Sequence, residues 1–123
     1  MKKQRYNNIL TYLWTVNMEK SRAFYSDVLG FSVVFESEGW IEFSIPGTQN
    51  AFMALNRWAG RERHPVNEFI TLSIDNLDEF RETLESRLVP LHGEIREFPE
   101  QGLRMFKFLD PSGNILTAAE VDK

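Results

Sequence analysis

The sequence predicts one α+β domain made of two copies of a strand–helix–strand–strand–strand (βαβββ) module. The pattern occurs twice along the chain, at an offset of about sixty residues, and repeats of this kind indicate a duplicated unit. Each module has a single helix, so one face of each sheet is left without a helical cover. The composition is that of a globular protein, with 42% hydrophobic residues in a chain of 123. Two such sheets side by side predict a cupped, partly open mixed β-sheet with the helices outside.

The first module spans about residues 7–56. Its helix is predicted over residues 18–29, because Asn17 is a suitable N-cap and Gly30 a suitable residue after the last turn. Alternating or apolar runs bounded by Gly, Pro and Ser predict its strands at residues 9–15, 31–35, 40–45 and 51–55.

The second module spans about residues 68–121. Its helix is predicted over residues 77–88, with Asn76 and Glu79 in the spacing of a capping box. The strands are predicted at residues 69–74, 93–98, 104–109 and 115–119. A tight turn with the sequence DPSGN joins the last two strands, since Asp opens a turn, Pro presets φ and Gly accepts a positive φ.

The polar segment between the modules, about residues 57–67, is predicted to be a linker. It contains Trp58, Arg61 and Arg63. A tryptophan in a polar loop often has a partner. Two interpretations remain open from the sequence, a lid over the cup and a contact between two copies of the chain.

Charge and composition exclude several classes of function. The net charge of −4, from 14 basic and 18 acidic residues, argues against a nucleic-acid surface. The absence of cysteine excludes disulfides and thiolate chemistry. The sequence shows no apolar run of membrane-spanning length and no signal-peptide pattern near its start. A cytoplasmic protein without membrane or nucleic-acid partners is expected.

Several short motifs resemble those of the vicinal oxygen chelate superfamily, which includes glyoxalase, extradiol dioxygenases, fosfomycin resistance enzymes and bleomycin resistance proteins. They are MEKSRAFY at 18–25, VLGF at 28–31, DNLDEF at 75–80, QGLR at 101–104 and DPSGN at 110–114. Each motif is weak alone, but their order along the chain matches the superfamily. The resemblance implies paired βαβββ modules and a homodimer.

In catalytic members, the resemblance implies a divalent metal held by His, Gln or Glu from the first and last strands of each module. The corresponding positions here are Leu10, Ala54, Phe69 and Thr117. Of these, only the Thr117 hydroxyl carries a donor atom, and it is a weak ligand. We therefore expect neither a metal nor another cofactor. His64 and His92 lie in polar segments and are expected to be solvated surface residues.

Strand alternation predicts which side chains line the cup. The resulting set mixes flat aromatic surface with a few polar groups, as small-molecule sites do. The predicted ligand-binding residues are Tyr12, Trp14, Trp40, Glu42, Phe52, Phe69, Thr71, Met105, Lys107, Ile115 and Thr117.

Two of these residues are charged, and a charge inside a cavity is costly unless it is paired or reserved for a ligand. One interpretation is that Lys107 binds an anionic or carbonyl group, or pairs with Glu42 to orient a polar ligand. The other is that both side chains reach water at the rim. A separate alternative for the aromatic residues is that they fill the cup as core and leave no cavity.

The function predicted from these features is a metal-free small-molecule-binding protein resembling the bleomycin-resistance branch. The alternative is a lyase, isomerase or dioxygenase with unusual metal ligands or metal-free acid/base chemistry. In that enzyme, Glu42 and Lys107 would be the base and the electrophile. A third alternative is a domain whose cup serves only as a dimer interface.

Overall fold

The computed structural model describes residues 3–122 and contains the predicted module twice. The first copy consists of β1 Ile9–Thr15, α1 Met18–Ala23 with a π-helical continuation over Phe24–Val28, β2 Ser32–Ser37, β3 Trp40–Ser44 and β4 Ala51–Arg57. The second copy consists of β5 Ile70–Ser73, α2 Leu77–Ser86, β6 Leu91–Phe98, a 3₁₀ turn over Pro99–Gln101, β7 Leu103–Leu109 and β8 Ile115–Val121.

The strands form two four-stranded sheets within the described chain. The N-terminal sheet has the order β1-β4-β3-β2, and the C-terminal sheet has the equivalent order β5-β8-β7-β6. Strand β1 pairs parallel with β4, and β5 pairs parallel with β8, while the remaining pairs are antiparallel. The predicted α+β class, with a cupped and partly open mixed sheet, is confirmed.

Both helices begin at the asparagines that the sequence indicates. The Asn17 side chain accepts a hydrogen bond from the Lys20 amide at 3.0 Å. Asn76 does the same for the Glu79 amide at 3.2 Å, and its own side-chain amide donates to the Glu79 carboxylate at 2.7 Å. The capping interaction is therefore reciprocal, although Glu79 binds the Asn76 side chain and not its backbone N–H. No helix within residues 3–122 is both long and apolar enough to cross a membrane.

The core lies against the helix-covered faces of both sheets. One cluster of buried side chains joins β3, β7 and α2. It includes Ile41 and Phe43 of β3, Phe106 and Phe108 of β7, and Leu77 and Leu84 of α2. Phe24 of the first module and Phe108 of the second lie 6.5 Å apart between ring centroids. The modules therefore fold around common apolar surface, and the opposite face of each sheet is free to line the cup.

A buried polar network also joins the modules at the DPSGN turn. Asp110 accepts a hydrogen bond from the Tyr25 hydroxyl at 2.7 Å, from the Asn114 side chain at 3.0 Å, and from the backbone amides of Ser112 and Asn114 at 2.9 Å. The Asn114 side chain also donates to the carbonyl oxygen of Trp14 at 2.8 Å. The turn thus fixes the end of β1 relative to the C-terminal sheet.

His64 belongs to the same network, so the expectation that it is a solvated surface residue is wrong. It is only 7% exposed. Its Nδ1 lies 2.9 Å from the Pro65 carbonyl oxygen, and its Nε2 lies 2.7 Å from the Ser112 carbonyl oxygen. The polar sequence around His64 suggested solvent, whereas the folded linker brings the ring against the DPSGN turn.

Candidate ligand-binding site

Aromatic side chains dominate the cup face of the N-terminal sheet. Tyr12 and Trp14 lie on β1 with ring centroids 5.4 Å apart, and Tyr12 lies 5.9 Å from Trp40 of β3. Trp58 of the linker packs edge-on against Trp14 at 5.0 Å. We call these four residues the aromatic row. The alternation of β1 and β3 places it opposite the buried Leu13 and Ile41.

The linker therefore covers one end of this face. The Trp58 backbone amide donates to the Thr15 carbonyl oxygen at 2.9 Å, and its indole N–H donates to the Glu62 carbonyl oxygen at 2.8 Å. Trp58 was predicted only as a lid or a contact between copies. Its partner in the described chain is Trp14, and sequence spacing gave no signal for this pairing.

Glu42 lies beside the aromatic row and is oriented by it. The Trp40 indole N–H donates to the Glu42 carboxylate at 2.9 Å. Glu42 and Phe52 line a cavity of about 330 Å³ together with Asn8 and Leu10. The partner of Glu42 is therefore an indole, and the ion pair with Lys107 that the sequence suggested does not form in the described structure.

A second cavity, of about 450 Å³, connects β1 with the start of the second module. Tyr12 and Trp14 line one side of it, and Phe69 lines the other together with residues 65–67. Tyr12 is 45% exposed and Phe69 is 90% exposed. The alternative that the aromatic residues fill the cup as core is wrong for these two side chains, which remain open to a ligand.

The predicted residues of the C-terminal sheet lie on one face of adjacent strands. Thr117 of β8 is opposite Thr71 of β5 and Lys107 of β7, and Met105 is opposite Ala119. Thr117 is buried beneath its larger neighbours, while Lys107, Met105 and Ile115 are half-buried. The strand register thus places these predicted residues together, opposite the core residues Phe106 and Leu116.

Some of these residues line two further, different cavities. Thr71 lines a largely apolar cavity of about 340 Å³ that also contacts Phe31, Ile45 and Phe80. Met105 and Lys107 line a smaller one of about 210 Å³ beside β6. Thr71 therefore lines a different cavity from Met105 and Lys107.

Comparison with protein-family models identifies the chain. Residues 6–117 match the model described as the glyoxalase/bleomycin resistance protein/dioxygenase superfamily. The chain belongs to this superfamily. A comparison with curated proteins finds no match.

Solved structures with the same fold cover 95–99% of the chain. A superfamily member from Sphaerobacter thermophilus DSM 20745 has 27% sequence identity and a TM-score of 0.80, covering 95% of this chain and 98% of its own. TnmS3, an antibiotic binding protein from Streptomyces sp. CB03234, has 22% identity and a TM-score of 0.79, covering 99% of both chains. A lactoylglutathione lyase from Agrobacterium tumefaciens has 20% identity and a TM-score of 0.73, covering 95% and 96%. The last two likenesses show the fold alone.

The residues present do not fit the metal that catalytic members of the superfamily hold. Leu10, Ala54 and Phe69 carry no side-chain donor, and Thr117 offers only a hydroxyl. Within residues 3–122, no group of three His, Cys, Asp or Glu side chains is placed to hold an ion. No chemical step can therefore be assigned to a metal held at these positions.

Proposed function

We propose that this chain is a metal-free binding protein for a flat, amphipathic small molecule. The aromatic row carries the proposal. Three tryptophans and one tyrosine lie in successive edge or tilted contacts on a sheet face that is not covered by a helix. Aromatic rings supply large apolar contact area at low cost in conformational entropy, and Glu42 supplies a polar group for orientation.

The surrounding cavities support a ligand of this size. Tyr12 and Trp14 line one recess of about 450 Å³, and Glu42 lines another of about 330 Å³. Both fall within the usual range for small-molecule sites, roughly 300–1,000 Å³. TnmS3, which is described as an antibiotic binding protein and has a similar fold, supports the proposal.

The proposal is tested by a thermal-shift screen of aromatic and zwitterionic small molecules, followed by calorimetric titration of the hits. A ligand at a hundredfold excess over its Kd should stabilise the protein by about 2.7 kcal/mol. We expect Trp14→Ala and Tyr12→Ala to abolish the shift. Trp14→Phe is the matched control, because it keeps a ring at the same position. Full ligand shifts in both alanine variants would contradict the proposed site.

The absence of metal chemistry needs its own measurement. Protein purified without chelators should contain less than stoichiometric Mn, Fe, Ni and Zn by mass spectrometry of the metals. One equivalent of any of these ions, bound tightly enough to survive dialysis, would contradict the proposal and favour an enzyme with unusual ligands.

We also propose that the protein is a homodimer. Strands β1 and β5 each have a single ladder partner in the described sheets, so each leaves one edge unpaired. The large apolar side chain of Ile9 is 77% exposed on β1, at one of these edges. A second copy would cover both kinds of surface.

Light scattering after size exclusion tests the dimer directly. Ile9→Glu should shift the mass from two chains to one while leaving the circular dichroism spectrum unchanged. Leu88→Glu is the control, because Leu88 is also largely exposed, at 88%, but lies after α2. A single-chain mass for the unmodified protein would contradict the proposal.

A further inference from the structure

We infer that the ligand of this cup carries an oxyanion, a carboxylate, sulfonate or phosphate group, and that His92, Arg96 and Lys107 bind it. These three residues are called the basic cluster below. The inference deepens the proposed function and rests on it, since it assigns a chemical class to the small molecule. The aromatic row belongs to the first module and the linker, whereas the basic cluster lies on β6 and β7 of the C-terminal sheet.

Strand register brings the basic cluster together. His92 of β6 is directly opposite Lys107 of β7, and Arg96 is opposite Met105, two residues along β7 from Lys107. Directly opposite residues point to the same face of a sheet, with Cβ atoms about 5 Å apart. Lys107 is in turn opposite Thr117 on β8. All three basic side chains therefore lie on the cup face.

An irregularity in β6 opens space between them. The register shifts between His92 and Arg96, so that five residues of β6 lie against three of β7. Gly93, with φ of +88°, provides the left-handed conformation that this bulge requires. The resulting hollow of about 210 Å³ is lined by all three members of the basic cluster. A carboxylate or sulfonate is small enough to enter it.

Four arginines in the described part of the chain have carboxylate partners, whereas the basic cluster, like several other lysines and arginines there, has none. Arg22, Arg57, Arg81 and Arg104 each form an ion pair in the described structure. Within residues 3–122, no such pair involves His92, Arg96 or Lys107. Glu94, which also lines the hollow, pairs instead with Arg81 at 3.6 Å.

The chemistry of the basic cluster suits an oxyanion. Arg96 and Lys107 are cationic side chains, and the Arg96 guanidinium lies over the Phe98 ring, 5.4 Å from its centroid. The chain as a whole is acidic, with a net charge of −4, so a local group of basic side chains is not a consequence of its composition. An oxyanion in the hollow would accept hydrogen bonds from several of them.

Sulfate titration tests the basic cluster without involving the aromatic row. Backbone amide signals of residues 92–96 and 105–107 should shift saturably in two-dimensional NMR spectra as sulfate is added at constant ionic strength. Lys107→Gln and Arg96→Gln should each weaken sulfate binding about tenfold, the value of one charged hydrogen bond. Lys107→Arg should retain binding. The matched control is Lys20→Gln on α1, which should leave it unchanged.

A pair of isosteric organic probes then tests the ligand class. 2-Naphthoate and 2-naphthamide share one ring system and differ in charge. Calorimetry should show naphthoate binding about tenfold more tightly than naphthamide, and Lys107→Gln should remove this preference. Equal affinities for the two probes, or a preference unaffected by Lys107→Gln, would overturn the inference.

The two proposals fail in different ways. If neither naphthyl probe binds but sulfate binds saturably at the basic cluster, the aromatic small-molecule site is wrong and the oxyanion site is supported. If both naphthyl probes bind equally and sulfate produces no saturable shift, the binding function is supported and the oxyanion site is wrong.

Discussion

The buried hydrogen bond between Tyr25 and Asp110 offers the sharpest test of how the two modules are joined. Tyr25 is completely buried and Asp110 is 4% exposed. The Tyr25 hydroxyl donates to the Asp110 carboxylate at 2.7 Å, and three further donors occupy the remaining acceptor positions of that carboxylate. Tyr25→Phe deletes one of these four hydrogen bonds without changing the ring.

The loss in free energy of unfolding expected for Tyr25→Phe follows from the charge and the burial of the Asp110 carboxylate. A hydrogen bond to a charged group contributes about 1.5–3 kcal/mol. Because three donors remain on Asp110, we expect a value near the lower end, about 2 kcal/mol. For a domain of this size, that loss should lower Tm by about 8 °C. Tyr6→Phe is the matched control, since Tyr6 is largely exposed and should show no change.

The pH dependence of the same variant gives a second, independent check. Burial, together with the neighbouring Asp110 carboxylate, raises the pKa of Tyr25 well above its usual value of 10.0. The folded state therefore favours the neutral phenol. The contribution of Tyr25 to the free energy of unfolding is therefore fully present below about pH 10. It is lost as pH rises further, because the Tyr25 phenol ionises readily only in the unfolded chain. The stability difference between the native protein and Tyr25→Phe should narrow above pH 10.

Thermal denaturation at pH 7 measures the change in Tm, and urea denaturation at pH 7, 9, 10 and 11 measures how the stability difference changes with pH. The reasoning would be refuted by a Tm within 1 °C of the native value at pH 7. A stability difference that stayed constant up to pH 11 would refute the part that concerns the raised pKa.

Three further predictions concern the DPSGN turn and the ion pair between Arg104 and Asp78. Asn114→Ala should cost about 3 kcal/mol in urea denaturation, because it leaves the Trp14 carbonyl oxygen and the Asn67 amide without their partner. Gly113→Ala should cost about 1 kcal/mol by the same assay, since φ is +81° and the only penalty is conformational. Arg104 lowers the pKa of Asp78 through hydrogen bonds of 3.0 Å, so Arg104→Gln should raise that pKa. Carbon-detected NMR titration measures the pKa of Asp78, and an unchanged titration in the variant would contradict this prediction.

Local sequence signals predicted most of the fold because they act over a few residues. The side chains of Asn17 and Asn76 accept hydrogen bonds from backbone amides at the helix starts, and these bonds do not depend on what the helices pack against. In the DPSGN turn, Asp110 accepts from the Ser112 amide at 2.9 Å and Gly113 adopts the positive φ. Alternation correctly placed Ile41 and Phe43 in the core and Trp40 and Glu42 on the opposite face.

The candidate site was predicted less completely, because its distinguishing contacts join residues that are distant in sequence. Neither the edge-on packing of Trp58 against Trp14 nor the burial of His64 has a local signal. The basic cluster was also missed as a group. Only the register of β6 against β7, with its bulge, shows that His92 and Arg96 share a face with Lys107.

The sequence by itself determined the two βαβββ modules, the helix caps and the DPSGN turn. These properties depend on residue identity and on the 2.0 and 3.6 periodicities of strands and helices. Tertiary structure alone decided that Glu42 binds an indole and not Lys107, and that Asp110 joins the modules through Tyr25. Such contacts depend on how two sheets meet in space, and no short stretch of sequence encodes that relation.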